Sequence, residues 1–362
     1  MDFAFYGTAW DLCMVRFDEA LAAALEGAGH RRVLLTERGA DLILAHIDPQ
    51  DPRPYHRPDS GVALVSLLRL PRPPQDLQTF AHAWLVRSLA NLVIVVAGPE
   101  PSPETYVISL DRKLERVGAA AWSQRLFGQV VERIRLFDAQ IIMDNIFDRD
   151  LEPELWQGGE GVGAMGRAAR RLAELGVIAS GVTMGEGLSH QDQRHLERIF
   201  QGNRISFGNL SQRQDAGRFW MSTSGVDWYH VELVGRDVEL VKGYDAATRA
   251  MLISVPAGVR PRRVSPDALL HHLLYRAHPA VGAVVHLHAW LDGLTAVAPD
   301  YPRGSLERAQ VVANLVAAQP DPDHAAVGID RHGIVMTGED LDEILTRLER
   351  APLAPVPDGS GR

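Results

Sequence analysis

The chain has 362 residues, and 46% of them are hydrophobic, which is enough for two domains with cores of ordinary size. A formal net charge of −9 without a basic tract argues against nucleic acid as a partner, and the single cysteine, Cys13, excludes an intrachain disulfide and fits a reducing compartment. There is no signal-peptide pattern and no apolar run near the roughly 18 residues of a bilayer span, so we expect a cytoplasmic protein that does not contact a membrane.

The first 150 residues alternate between two kinds of segment. Strand-like runs occur at residues 3–6, 33–36, 42–46, 62–68, 92–97, 106–110 and 140–144, and helical stretches at residues 17–26, 77–89 and 119–136. This alternation predicts an α/β layer domain over residues 1–150 with a mostly parallel sheet. Its loops after the first and last strands, Tyr6-Gly7-Thr8 and Asp144-Asn145, are candidate ligand loops, although no nucleotide-binding glycine motif occurs in this half. The role of the domain stays open.

Two polar stretches interrupt the chain after this domain. Residues 148–160 have the composition of an exposed linker, and residues 176–208 form a second stretch that is polar and rich in glycine. Beyond them, Gly208-Asn209-Leu210-Ser211 and Thr223-Ser224-Gly225 are small, polar turn sequences. Their backbone N–H groups are suited to an anion-binding concavity, but the same sequences are also common as plain turns between strands.

A candidate metal site follows in the sequence. Ser265-Pro266-Asp267 begins a segment with helical apolar spacing, and His286 and His288 lie two residues apart in an apolar, strand-like run. A strand directs residues i and i+2 to the same face, so two imidazoles share one place, where a divalent ion would compensate their burial. His332, at the end of another short strand, and Asp267 complete a set of N and O ligands. We expect zinc, with manganese and cobalt as alternatives.

These blocks, together with His271 and His332-Gly333, occur in an order that resembles the class II aldolase/adducin family, the metal-dependent sugar-phosphate aldolases and ribulose-phosphate 4-epimerases. The resemblance covers residues 161–350. It implies a class II aldolase-like α/β/α domain there, and it leaves residues 351–362, rich in Pro and Gly, as a flexible tail. The resemblance also implies an insertion at residues 176–208, because this stretch is longer than the one that usually precedes the Gly-Asn block in the family.

The resemblance also implies roles for individual residues. His286, His288 and His332 match the three metal-binding histidines of the family, and Asp267 falls where the aldolases have a ligand glutamate and the epimerases an aspartate. Residues that match the substrate-phosphate site are Asn209, Ser224, Gly225 and Ser265. Pro266 departs from the family pattern, which has a second serine, since proline offers neither a hydroxyl nor an N–H group. Either Arg262 or Arg263 compensates, or the substrate carries no phosphate.

The expected activity is that of a metal-dependent lyase. Such an enzyme makes or breaks a carbon–carbon bond through a metal-stabilised enediolate, here in a small, carbohydrate-like hydroxy-ketone or sugar phosphate. Asp267 and Tyr301 are the candidate catalytic residues. A sugar-phosphate 4-epimerase or a dehydratase is the alternative, favoured by an aspartate at position 267, and a non-catalytic adducin-like interaction module is a third hypothesis. The family further implies a homo-oligomer, most simply a homotetramer.

Overall fold

The computed structural model divides into two compact units, residues 1–140 with 184–199 and residues 141–183 with 200–362. The sequence-based boundaries, 1–150 and 161–350, stay a proposal about domain organisation. No helix in the described part of the chain is long and apolar enough to cross a membrane. The structure describes residues 1–35, 40–48, 55, 62–100, 103–109, 114–117, 122–135, 143–176, 182–183, 190, 204–205, 208–299, 301, 304–330, 332–354 and 356.

Within its described residues, the first unit contains a seven-stranded sheet with helices on both faces. Its strands are β1 (Asp2–Tyr6), β2 (Arg31–Arg32), β3 (Leu42–His46), β4 (Ala63–Leu70), β5 (Leu92–Ala97), β6 (Glu104–Ser109) and β7 (Leu114–Val117), in the order β2-β1-β3-β4-β5-β6-β7. The first five are parallel, and β6 and β7 are antiparallel to their neighbours. The helices are α1 (Leu12–Gly27), α2 (Leu77–Ser88) and α3 (Gln124–Arg135). This confirms the predicted α/β class with a mostly parallel sheet.

Apolar side chains fill both faces of this first sheet. Helices α1 and α3 pack on one face, where Phe3 and Phe17 are fully buried, and α2 packs on the other. The start of α1 is fixed by Asp11, whose Oδ1 accepts a hydrogen bond from the Met14 backbone N–H (2.7 Å).

The strand expected at residues 140–144 differs from the prediction in position and in partner. It is β8 (Asp144–Asp148), and it pairs in parallel with a strand of the second unit. Asp144 and Asn145 therefore lie within a strand and not in a ligand loop of the first sheet. Strand propensity is local, whereas the choice of sheet depends on tertiary contacts that a strand sequence does not encode.

The second unit is built on a nine-stranded sheet within the described residues. After β8, its first elements in chain order are the 3₁₀ helix Pro153–Leu155, α4 (Gly159–Glu174), the antiparallel pair β9 (Val182–Thr183) and β10 (Arg204–Ile205), β11 (Asn209–Arg213), β12 (Phe219–Ser222), β13 (Val238–Asp245) and β14 (Ala250–Ser254). They are followed by α5 (Ala268–Ala277), β15 (Ala283–Leu287), β16 (Trp290–Leu291), β17 (Val297–Ala298), α6 (Leu306–Ala317), the 3₁₀ helix Pro322–His324, β18 (Ala326–Ile329), β19 (Gly333–Gly338), α7 (Leu341–Arg350) and β20 (Leu353–Ala354). The large sheet has the order β17-β18-β19-β15-β11-β12-β13-β14-β8.

Helices cover both faces of this second sheet, which gives the α/β/α arrangement expected from sequence. Helices α4 and α7 pack on one face, together with inward side chains such as Leu210 and Val285, and α5 and α6 pack on the other, together with Val284 and Val335. β20 lies past the expected domain end at residue 350 and still pairs with β16. Residues 357–362 of the predicted tail and most of the predicted insertion at 176–208 lie outside the described residues.

Strand register places the polar motifs side by side. In the antiparallel pair β11–β15, Asn209 is the partner of His286, and β19 pairs with the other edge of β15, with Ile334 opposite Leu287. The close approach of β19 requires glycine at position 333, because a Cβ atom there would lie 2.0 Å from the Leu287 carbonyl oxygen. The turn before β19, which carries His332, is thereby held beside the end of β15.

Candidate metal centre and active site

Three histidines converge at the end of β15. His286 lies in the strand, His288 directly follows it, and His332 comes from the turn before β19. Each offers a ring nitrogen to a common point, and these nitrogens all lie within 4.8 Å of one another. The ring centroids are 5.2 Å apart for His286 and His288 and 4.5 Å apart for His288 and His332. The structure thus brings together the three histidines that were expected to share one site.

The backbone fixes how His286 faces this group. Its Nδ1 lies 2.9 Å from the Ile334 carbonyl oxygen, and both atoms are buried. A carbonyl oxygen can only accept, so Nδ1 carries the hydrogen and the lone pair of the neutral ring is on Nε2. An outer hydrogen bond of this kind is the usual means by which a protein orients a metal-binding imidazole.

Asp267 lies next to the three histidines, at the N-terminus of α5. Its Oδ2 accepts a hydrogen bond from Asn209 Nδ2 (2.9 Å) and is 3.9 Å from His286 Nε2. Both Asp267 and Asn209 are buried. The carboxylate is therefore held beside the histidine group on the His286 side, where it is available as an additional ligand or as a charged neighbour of a bound ion.

Arg308 is a part of the site that the sequence analysis missed. It lies in the first turn of α6, with its backbone N–H donating to the N-cap Ser305 Oγ (3.1 Å), and only 2% of its surface is exposed. Its Nε is 3.6 Å from Asp267 Oδ1, and its Nη1 donates to the Tyr301 carbonyl (3.3 Å). Arg308 thus connects Asp267 with the backbone of Tyr301, the other candidate catalytic residue.

A buried polar chain supports the site from α5. Ser211 Oγ lies 2.7 Å from His271 Nδ1 and 2.8 Å from the Tyr275 hydroxyl. Burial lowers the pKa of His271 to about 3, so this ring is neutral at ordinary pH. His271 therefore connects α5 to β11 through Ser211.

The polar turn at Thr223-Ser224-Gly225 is fastened to the segment before α5. The Ser224 N–H donates to the Arg263 carbonyl (2.9 Å), and Arg262 Nη2 donates to the Ser224 carbonyl (3.0 Å). Arg263, by contrast, directs its guanidinium to Asp144 Oδ1 (3.1 Å) in β8. Of the two arginines considered as substitutes for the missing serine, Arg262 is the one whose side chain contacts this turn.

Ser265 and Gly225 complete the residues expected at the substrate site. Ser265 is buried, and its Oγ accepts from the Asp267 N–H at 3.4 Å, which places the hydroxyl at the N-terminus of α5. Gly225 has a φ of +72°, a value that favours glycine and lets the turn expose its backbone. The contacts of Ser224 and Ser265 show two neighbouring loops that approach the same helix start.

A second group that sequence reasoning missed is a buried carboxyl in β13. Glu239 is fully buried, and its Oε1 accepts from the Arg262 N–H (2.9 Å). Burial raises the pKa of Glu239 to about 8, although the Arg262 N–H and guanidinium act in the opposite direction. Glu239 is consequently protonated at neutral pH and lies under the loop that holds the Ser224 turn.

The histidine group fits a divalent metal ion. Three imidazoles in one mostly buried place are a common ligand set for zinc and its neighbours, and His286 already has the tautomer that binding through Nε2 requires. Asp267 Oδ2 lies 3.9 Å from His286 Nε2, but the group whose ligand atoms all lie within 4.8 Å of one another consists of the three histidines alone in the described part of the chain. Ordinary N and O ligands leave the choice among zinc, manganese and cobalt to the metal supply.

One family model matches part of the second unit. Residues 200–291 match the model of the Class II Aldolase and Adducin N-terminal domain, a segment that contains Asn209, Asp267, His286 and His288. The match confirms that the C-terminal half of the chain resembles the class II aldolase/adducin family. No curated protein matches the sequence.

Among solved structures, the chain is similar to YgbL from Klebsiella pneumoniae, a candidate aldolase/epimerase/decarboxylase (19% identity, 53% of this chain and 84% of that one, TM-score 0.36). It is also similar to YgbL from Escherichia coli (21% identity, 52% and 83%, TM-score 0.35) and to an L-fuculose 1-phosphate aldolase (13% identity, 53% and 83%, TM-score 0.36).

Proposed function

We propose that the protein is a metal-dependent lyase of the aldolase type that acts on a small hydroxy-ketone or sugar phosphate. The observation that carries this proposal is the convergence of His286, His288 and His332 at one buried place, beside a carboxylate and within a chain whose residues 200–291 match the class II aldolase/adducin domain. A fold alone does not define an activity, so the proposal rests on this set of candidate metal ligands and not on the fold.

The site residues would have separate roles in metal binding, proton transfer and substrate binding. A divalent cation held by the three histidines would polarise a carbonyl and stabilise the negative charge that develops on its oxygen. Asn209 orients the Asp267 carboxylate, which serves as a further ligand or as the base that removes a proton. Ser224, Gly225 and Ser265 would bind the phosphate or other polar end of the substrate, and Tyr301 is the candidate for the distal proton transfer.

A 4-epimerase or a dehydratase is the second candidate, and one observation favours it. Asp267 is held by Asn209 on one side and by Arg308 on the other, which restricts the movement that a carboxylate needs to leave a metal and act as a base. A fixed carboxylate suits chemistry in which another group transfers the proton. The adducin-like alternative is disfavoured, because a module without catalysis has no need for three converging histidines.

The proposal is tested first by metal content. Protein refolded with zinc, manganese or cobalt should bind about one ion per chain, and His286→Ala and His288→Ala should abolish this binding. His324→Ala is the matched control, because this exposed histidine pairs with Asp321 outside the site and its loss should leave metal content unchanged. Elemental analysis of the four proteins after dialysis gives the answer. Wild-type protein that binds none of the three metals would refute the proposal.

The second test separates the reactions. Metal-loaded protein should cleave or condense members of a panel of free and phosphorylated ketoses, and product analysis distinguishes the carbon–carbon cleavage of a lyase from the inverted stereocentre of an epimerase or the loss of water of a dehydratase. Turnover that requires the metal and disappears in His286→Ala supports the proposal. Metal binding without turnover across the panel would leave the chain as a binding module and contradict a lyase.

A further inference from the structure

The buried guanidinium of Arg308 calls for a functional explanation. Burying a cation is costly unless a partner charge and hydrogen bonds compensate, and an arginine is seldom buried without such partners. In this chain Arg308 is 2% exposed and its Nε is 3.6 Å from Asp267 Oδ1. Oδ2 of Asp267 thus faces the histidine group, and Oδ1 of the same carboxylate faces the positive charge of Arg308.

This arrangement changes the charge of the proposed metal centre. Imidazoles bind metals in their neutral form, so a set of three histidines and one carboxylate around a divalent ion carries a net charge of about +1. Because Arg308 offsets the charge of Asp267, the centre in this chain carries about +2 once the ion is bound. A centre with this larger positive charge binds an anionic ligand more tightly, and a metal ion less tightly, than a centre without the arginine.

We propose that Arg308 is a specificity-determining positioning residue, which acts through Asp267 to make the centre select substrates that bring a carboxylate to the metal, namely 2-hydroxy or 2-oxo acids. This inference rests on the proposed function, since it requires a bound metal. Within the hydroxy-ketone class it selects compounds that carry a carboxylate beside the oxo or hydroxyl group that faces the metal. It also gives Asp267 a fixed orientation, because Asn209 donates a hydrogen bond to Oδ2 and Arg308 forms an ion pair with Oδ1.

The inference predicts opposite changes in two affinities. In Arg308→Gln the charge of Asp267 is no longer offset, so the protein should bind zinc about tenfold more tightly, while the zinc-loaded protein should bind oxalate, a chelating dianion, about tenfold more weakly. Arg308→Lys keeps the charge and should stay near wild type in both. Asp267→Asn should show the reverse pattern, with weaker zinc binding and tighter oxalate binding.

The measurements are chelator competition for zinc and calorimetry for oxalate, with thermal unfolding to confirm that each variant is folded. Arg263→Gln is the matched control, because it removes a neighbouring cation that pairs with Asp144, and both affinities should be unchanged. If Arg308 were only structural, its replacement would weaken both affinities together, and this result would overturn the inference. Should Arg308→Gln fail to fold, Arg308→Met, which keeps the aliphatic stem but removes the charge, provides the same decision.

The proposed function and the inference about Arg308 are refuted by different results. Wild-type protein that binds no metal refutes the proposed function and this inference with it. Protein that binds zinc but whose oxalate affinity does not respond to Arg308 or Asp267 refutes the inference alone. A substrate screen adds a final readout, in which 2-hydroxy and 2-oxo acids should be turned over in preference to neutral hydroxy-ketones by wild type, and this preference should fall in Arg308→Gln.

Discussion

Replacement of Glu239 by glutamine should stabilise the protein, and increasingly so as the pH rises. The side chain is fully buried in β13, and burial raises its pKa from an ordinary value of 4.5 to about 8. Between these two pH values the folded protein holds a proton that the unfolded chain has released. Folding therefore takes up a proton, and the contribution of Glu239 to the free energy of unfolding falls as the pH rises from about 4.5 and reaches its minimum above about 8.

The size of this effect follows from the pKa. Raising a pKa from 4.5 to about 8 corresponds to about 5 kcal/mol at about 1.4 kcal/mol per pKa unit, most of which develops between pH 5 and pH 8. Glutamine has nearly the same shape and cannot ionise, so it removes the dependence. Relative to wild type, Glu239→Gln should gain on the order of 3 kcal/mol in unfolding free energy between pH 5 and pH 8.

Urea unfolding at pH 5, 6, 7 and 8, followed by tryptophan fluorescence, measures this difference. Glu232→Gln is the control, because Glu232 is exposed and its replacement should give a curve parallel to that of wild type. If the unfolding free energies of wild type and Glu239→Gln run parallel across this pH range, Glu239 is ionised in the folded protein, and the argument from burial is wrong.

Three further predictions concern support and assembly. Ser211→Ala removes the hydroxyl that lies within hydrogen-bond distance of both His271 and Tyr275, so chemical denaturation should show a loss of about 1–3 kcal/mol, and an unchanged midpoint would count against this buried chain. Gly208→Ala should lower both stability and zinc content, because Gly208 has a φ of +84° and an added Cβ would lie 2.6 Å from the His286 carbonyl oxygen; full metal content in a variant of normal stability would contradict this. Light scattering should report a tetramer at micromolar concentration, and a monomer would remove the assembly expected from the family resemblance.

Local sequence was sufficient to place two of the three histidines of the site together, whereas His332, from a distant segment, was assigned through the family resemblance. His286 and His288 are two residues apart in an apolar run, and strand geometry then predicts a shared location, which is what β15 and its end provide. The polar motifs around Asn209 and Asp267 were informative for the same reason, since each marks the start of a regular element. Such patterns depend on residues close in sequence and need no knowledge of tertiary contacts.

Arg308 could not be found in this way. A single charged residue in the first turn of a helix normally faces solvent, and nothing near it in sequence indicates that α6 packs against α5 so that the guanidinium reaches Asp267. The same limit applies to Arg262 and Arg263, which are adjacent yet have different partners. Glu239 lies at a polar position of an alternating strand, but it is fully buried, and its Oε1 accepts a hydrogen bond from the backbone N–H of Arg262, which is distant in sequence.

The pairing of β8 with β14 has a practical consequence for dividing the protein. Removal of residues 1–150, the sequence-based domain, would also remove β8 and leave the backbone groups of β14 without the partner strand that now pairs with them. An uncovered, apolar strand edge is a template for intermolecular pairing, so this shortened protein is expected to aggregate. In the intact chain β8 covers this edge of β14 and is itself the last strand of the described sheet. A soluble C-terminal fragment should therefore begin near residue 141.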